Sequence, residues 1–187
     1  MVDSHLAADR PSAWVVRFSS LIAHGEVLDL ACGGGRHARL LAALGHRVLA
    51  VDHDPAALER AAGKGIETLL ADLENGDAAT TLFGASRFNG IVVTNYLHRP
   101  LFPAILDSLA PGGVLVYETF AVGNERFGKP SNPDFLLRTG ELLHITAALR
   151  IVAFEDGYVE APKPAMVQRI CAVKCDFDAN PAALRLP

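Results

Sequence analysis

A chain of 187 residues, half of them apolar and a fifth charged, is long and apolar enough for one domain with a sizeable core. With 17 basic and 21 acidic side chains the formal charge is −4. That lacks the basic excess of a nucleic-acid-binding domain and favours a small-molecule partner over RNA or DNA.

The opening, MVDSHLAADRPSAW, has no basic segment followed by an apolar one, so no signal peptide is expected. Residues 12–23, SAWVVRFSSLIA, carry Trp14, Phe18, Leu21 and Ile22 at helical spacing and predict an amphipathic helix. EVLDLAC predicts a short strand. RHARLLAALG predicts a helix with Gly45 at its C-terminal cap. HRVLAVD is a second strand, and DPAALERAA opens a helix with Asp54 as N-cap and Pro55 at its first position. GIETLLAD and FNGIVVTNY follow as strands, RPLFPAILDSLA as a helix closed by PGG, and GVLVYETF as the fifth strand. Residues 121–138 have no period and many Gly, Asn and Pro, so they predict a loop. TGELLHITAAL predicts a helix capped by Thr139, and RIVAFEDG and AMVQRICAVKC a closing antiparallel hairpin. Strand alternating with helix through five strands means a mostly parallel sheet with helices on both faces. No linker divides the chain, so residues 1–187 read as one domain. No apolar run is long enough to cross a bilayer. Cys32, Cys171 and Cys175 form no C-x-x-C pair, so no disulfide framework or metal site is expected, and reduced thiols suit the cytoplasm.

The chemistry centres on LDLACGGGRHARLL, residues 28–41. Gly33, Gly35 and Ala38 spell G-x-G-x-x-A, the fingerprint of a dinucleotide site. In an open α/β sheet the ligand lies over the carboxyl ends of the strands. DLACGGG, VDHD and LLADLENG therefore face it. A nicotinamide-dependent oxidoreductase would use the glycines and Asp52 but would not require Asp29 or Asp72, and no residues remain for a substrate domain. S-adenosyl-L-methionine uses all three carboxylates. Asp29 suits its amino and carboxylate end, Gly33 and Gly35 let the backbone approach it, Asp52 suits the ribose hydroxyls and Asp72 the adenine amino group. A third reading is a non-catalytic cofactor-binding module serving a partner protein.

VLDLACGGGRHARLLAALGHRVLAVDHD resembles the first two motifs of the class I S-adenosylmethionine-dependent methyltransferases. LLADLENG, FNGIVVTNYLHRPL and LAPGGVLVYETF resemble the next three, in order, over roughly residues 25–120. The small tellurite-resistance-like group is the nearest flavour. The resemblance implies a Rossmann-like seven-stranded sheet in order 3-2-1-4-5-7-6 with strand seven antiparallel. It implies that Asp29 and the turn Gly33, Gly34 and Gly35 hold the methionine end, Asp52 the ribose, and Asp72 with Leu73 the adenine, that Ala31 and His53 also contact the cofactor, and that Asn95 sits beside the methyl group. NYLHRP stands where nucleic-acid amino-methyltransferases often carry Asn/Asp-Pro-Pro-aromatic, which favours a small-molecule acceptor. Candidate catalytic residues at strand ends four and five are Tyr96, His98 and Glu118. His98 reads equally as pocket residue or helix cap, and Tyr96 could simply pack. Asn124, Arg126 and Lys129, on a loop expected to close over the acceptor, are candidate substrate residues, with solvated loop positions as the alternative. The sequence carries no signal for an oligomeric state.

Overall fold

A computed structural model describes residues 9–75 and 83–175; the remainder of the expected 1–187 domain lies outside the described residues. The chain runs α1 (Ala13–Phe18), β1 (Glu26–Leu30), α2 (Arg36–Ala43), β2 (Arg47–Asp52), α3 (Pro55–Ala61), β3 (Ile66–Leu70), β4 (Phe88–Thr94), α4 (Phe102–Ser108), β5 (Leu109–Phe120), α5 (Glu141–Ile145), β6 (Arg150–Val159) and β7 (Ala165–Val173). The strands form one sheet in order β3-β2-β1-β4-β5-β7-β6. β1 to β5 pair in parallel, and β7 runs antiparallel to both β5 and β6. This is the expected Rossmann-like order, with the closing hairpin at one edge.

Side chains alternate across the sheet with period two. Leu28, Leu30, Ile91, Val93, Leu115 and Tyr117 belong to the core on one face, where Phe102 and Ile105 of α4 cover them. Val27, Val92, Val114 and Val116 belong to the other, under Trp14, Val15 and Phe18 of α1 and Ala38 and Leu41 of α2. The central strands are thus apolar on both sides, as a doubly covered parallel sheet requires. Asp29 has the parity of Val27 and enters the α2 side.

The elements depart from the sequence pattern at their ends. α1 is one and a half turns long, because Ser12 caps it instead of joining it: its hydroxyl accepts the Trp14 N–H at 3.1 Å, and a 3₁₀ turn at Ser19–Leu21 follows. α5 is capped by Gly140 in a left-handed conformation (φ 66°), not by Thr139, and it stops at Ile145. Residues 121–138 contain two 3₁₀ turns, Asn124–Arg126 and Pro133–Phe135, and a parallel bridge from Ala121 to Leu137. That bridge ties both ends of the loop to the end of β5.

Candidate functional site

The glycine turn between β1 and α2 sets the site. Asp29 is buried to 1 % exposure. Its carboxylate takes the Ala38 N–H, but Oδ2 has no hydrogen-bond partner. Burial pushes the Asp29 carboxyl up to about 8, against the pull of the Arg36 charge. Beyond it Ala31 adopts φ 54°, a left-handed conformation uncommon for a residue with a Cβ. Gly33 has the same φ, and a Cβ there would meet nothing within 4 Å, so its face is open to the cleft. Gly35 differs: a Cβ there would lie 2.5 Å from that of Ala61, so this glycine lets α2 pack against α3. This packing need stands beside the expected approach of the Gly35 backbone to a ligand.

The neighbouring strand ends brace this turn. Asp52 Oδ2 accepts the Gly33 N–H at 2.8 Å, and Oδ1 accepts the Asp54 N–H at 3.0 Å. Both oxygens keep lone pairs for further donors. The His53 ring stands 3.5 Å from Asp52 with its side chain 82 % exposed. Arg39 donates to the Gly34 carbonyl at 2.6 Å and pairs with Asp9. Asp72 accepts the Glu74 N–H at 3.0 Å in the turn after β3, beside buried Leu73.

At the end of β4, Asn95 is left-handed (φ 56°), and its N–H donates to the Glu118 carbonyl at 2.9 Å. The Tyr96 hydroxyl is buried without a partner. Burial first, then the carboxylates of Glu74, Asp72 and Asp52, raise its pKa, so it is a neutral phenol and a proton donor. Two adjoining clefts meet here. The first, over the glycine turn, is lined by Ala31, Gly33, Gly34, Arg36 and Thr94 among others; the second by Glu74, Leu97, Thr119, Phe120, Pro130 and Phe135. Asn95 and Tyr96 line both.

The family model described as "Methyltransferase domain" matches residues 27–113, the stretch that builds the first cleft. The match covers rather less than half of the chain. Solved structures share the fold. TehB from Haemophilus influenzae superposes with a TM-score of 0.72 at 21 % identity, over 88 % of this chain and 62 % of that one. The N-methyltransferase NodS from Bradyrhizobium japonicum WM9 gives 0.69 at 19 %, over 94 % and 100 %. The 1,6-didemethyltoxoflavin-N1-methyltransferase of Burkholderia thailandensis, solved with 1,6-didemethyltoxoflavin and S-adenosylhomocysteine bound, gives 0.64 at 23 %, over 91 % and 79 %. This chain thus spans less than two thirds of TehB. No curated protein sequence matches at a significant level. The partnerless buried oxygen of Asp29 is an acceptor that would suit a cationic amino group entering the first cleft.

Around the first cleft the expected residues separate. Asp29, Ala31, Gly33, Gly34, Asp52 and Asn95 gather at the glycine turn and the strand ends beside it. Glu118 is engaged elsewhere, accepting the Ser12 hydroxyl at 2.8 Å and an Arg169 N–H at 3.2 Å. His98 is half-buried at the start of a 3₁₀ turn, Arg99–Leu101, and makes no side-chain cap bond to it. Asn124 is a correction. It is 2 % exposed and turned inward, its amide donating to the Pro130 carbonyl at 3.0 Å and accepting the Met166 N–H at 3.3 Å, so it braces the loop. Arg126 and Lys129 are exposed on the outer part of the loop.

Sequence reasoning missed His37. Read as one position of the helix after the turn, it is 1 % exposed, with Nε2 accepting the Ser12 N–H at 3.1 Å. Nδ1 then carries the proton and faces Thr94 Oγ1 at 3.4 Å. Burial pushes this imidazole down to about 3, with Arg36 adding to the effect. His37 therefore joins α2, the end of β4 and the segment before α1. Its position between Arg36 and Ala38 in the first helical turn was the one available signal.

Proposed function

We propose that the protein is an S-adenosylmethionine-dependent methyltransferase acting on a small-molecule acceptor. The observation that carries this reading is the junction of the two clefts at Asn95 and Tyr96. In it Asp29 binds the amino group of the methionine end, and Ala31, Gly33 and Gly34 border that end. Asp52, with His53 beside it, accepts the ribose hydroxyls, Asp72 and Leu73 meet the adenine, and Asn95 flanks the methyl group. When bound, S-adenosylmethionine supplies an electrophilic methyl group on a sulfonium that is already a good leaving group.

The protein's own contribution is then chiefly alignment, because an oriented nucleophile removes much of the barrier. A Tyr96 phenol with a raised pKa serves as a hydrogen-bond donor and not as a base. Glu118, tied to Ser12 and Arg169, holds the N-terminal segment against β5 and β7. His98 remains the candidate for proton removal, and Arg126 and Lys129 for contact with an acceptor from the loop. A cytoplasmic setting, in which free Cys32, Cys171 and Cys175 stay reduced, belongs to the same reading. The 1,6-didemethyltoxoflavin enzyme, which shares the fold, supports a small-molecule acceptor.

Transfer of labelled methyl groups from S-adenosylmethionine to a panel of amines, thiols, phenols and carboxylic acids tests the proposal. Turnover on any small acceptor, lost in Asp29→Asn, supports it. Cofactor binding without turnover on any acceptor would favour the non-catalytic module, and binding of a nicotinamide dinucleotide in its place would favour the oxidoreductase.

A further inference from the structure

The second cleft has a composition that selects among acceptors. Three aromatic residues, Tyr96, Phe120 and Phe135, line it with Leu97 and Pro130. Asn95 and Thr119 add neutral polar groups, and Glu74 is the one charged residue among the described lining residues. Asp72 and Asp52 stand at the neighbouring strand ends, and after burial the charges of Glu74, Asp72 and Asp52 raise the pKa of the Tyr96 phenol. Phe135 stands at the rim, 48 % exposed. Its place is set by Arg99, which donates to the carbonyls on either side of it, Asp134 at 2.6 Å and Leu136 at 2.8 Å. The same guanidinium is held by Glu141 through two further bonds, at 2.7 and 3.0 Å. The backbone that carries the ring is therefore tied to Arg99 and through it to Glu141. Phe120 already attracts a cation: Lys163 Nζ lies 5.5 Å from its centroid.

We infer that the second cleft holds its acceptor by a cationic amine on a flat apolar body, with Glu74 as counter-ion and Tyr96, Phe120 and Phe135 as ring walls. A cation gains from both the carboxylate and the faces of the rings. An anion of the same shape loses hydration and meets like charge. The ammonium is the handle and not the methylated atom, since a protonated nitrogen has no lone pair; the nucleophile is a separate atom that reaches Asn95. This deepens the methyltransferase reading and rests on it for the role of the first cleft.

The test uses benzylamine, benzyl alcohol and benzoate, which share a ring and differ in charge. Each is titrated by calorimetry into the protein saturated with S-adenosylhomocysteine. Benzylamine should bind at least about tenfold more tightly than benzoate, with benzyl alcohol between them. Glu74 is exposed and its side chain lies outside the core, so Glu74→Gln should fold normally. It should abolish the preference for benzylamine and leave benzyl alcohol unchanged. Benzoate binding as tightly as benzylamine, a preference that survives Glu74→Gln, or no benzylamine binding at all would each overturn the inference. Absence of heat on adding S-adenosylhomocysteine would overturn the cofactor reading separately. The three probes are in that case read on the protein alone, where the same order of affinity decides the same question.

Discussion

Replacing Asp29 by Asn separates a cofactor anchor from an ordinary buried acid. The folded carboxyl sits at about 8 against an ordinary value of 3.8. The folded state therefore holds the proton more tightly than the unfolded chain does. Stability from this group is full below the unfolded value, falls as pH rises toward 8 and is level above it. At about 1.4 kcal/mol per pKa unit, the empty protein carries a cost on the order of 4 kcal/mol at pH 7 and roughly 1–2 kcal/mol at pH 5. Asn keeps the shape and cannot ionise. Urea unfolding without cofactor should show Asp29→Asn more stable than the wild type at neutral pH, with a gap that narrows in acid. The same variant should bind S-adenosylhomocysteine more weakly, because a hydrogen bond to a charged group contributes ~1.5–3 kcal/mol, roughly tenfold or more in affinity. A variant that is no more stable at neutral pH and binds as tightly as the wild type would refute both the strain and the anchor.

Three further outcomes follow from the geometry. Asp52→Asn should lower S-adenosylhomocysteine affinity about tenfold or more in calorimetry, since a charged acceptor for two hydroxyls is lost; Asp72→Asn, at an exposed turn, should lose less. Gly35→Ala should destabilise the protein by roughly 1–3 kcal/mol in thermal or urea unfolding, because both its positive φ and Ala61 oppose a Cβ, whereas Gly33→Ala should cost less stability and more cofactor affinity. In hydrogen exchange, the amides of Val122, Asn124 and Leu137, bonded to Leu137, Ala121 and Phe120, should exchange slowly without ligand. Those of Lys129, Ser131 and Asn132 should exchange fast and slow down when cofactor product and acceptor are both present; equal protection throughout, unchanged by ligand, would mean that the loop does not close.

The sheet order and the gathering of Asp29, Gly33 and Asp52 were legible in the sequence because both follow from local pattern. Apolar runs ending in a carboxylate or a glycine turn place those residues at strand ends, and a parallel sheet brings the strand ends to one edge. The functions of single side chains were harder to read where a distant segment decides them. Glu118 looked like a polar residue in an apolar strand, free to serve a pocket. Its partners are Ser12 and Arg169, 106 and 51 residues away, and no local rule foretells them. Asn124 had the surroundings of a surface loop, yet β7 and the loop's own Pro130 turn it inward. At Gly35 the motif was legible, but the demand that Ala61 on the next helix places on it was not. Thr139 had the chemistry of an N-cap, but a left-handed Gly140 starts the helix one residue later.

The central claim is that the cleft over the glycine turn is built for S-adenosylmethionine. Calorimetric titration of the wild-type protein with S-adenosylhomocysteine and, separately, with NAD tests it most directly. The account predicts saturable one-to-one binding of S-adenosylhomocysteine, with release of most of a proton near pH 7 as the ammonium draws Asp29 into its charged form, and no binding of NAD. Binding of NAD with no heat from S-adenosylhomocysteine would contradict it.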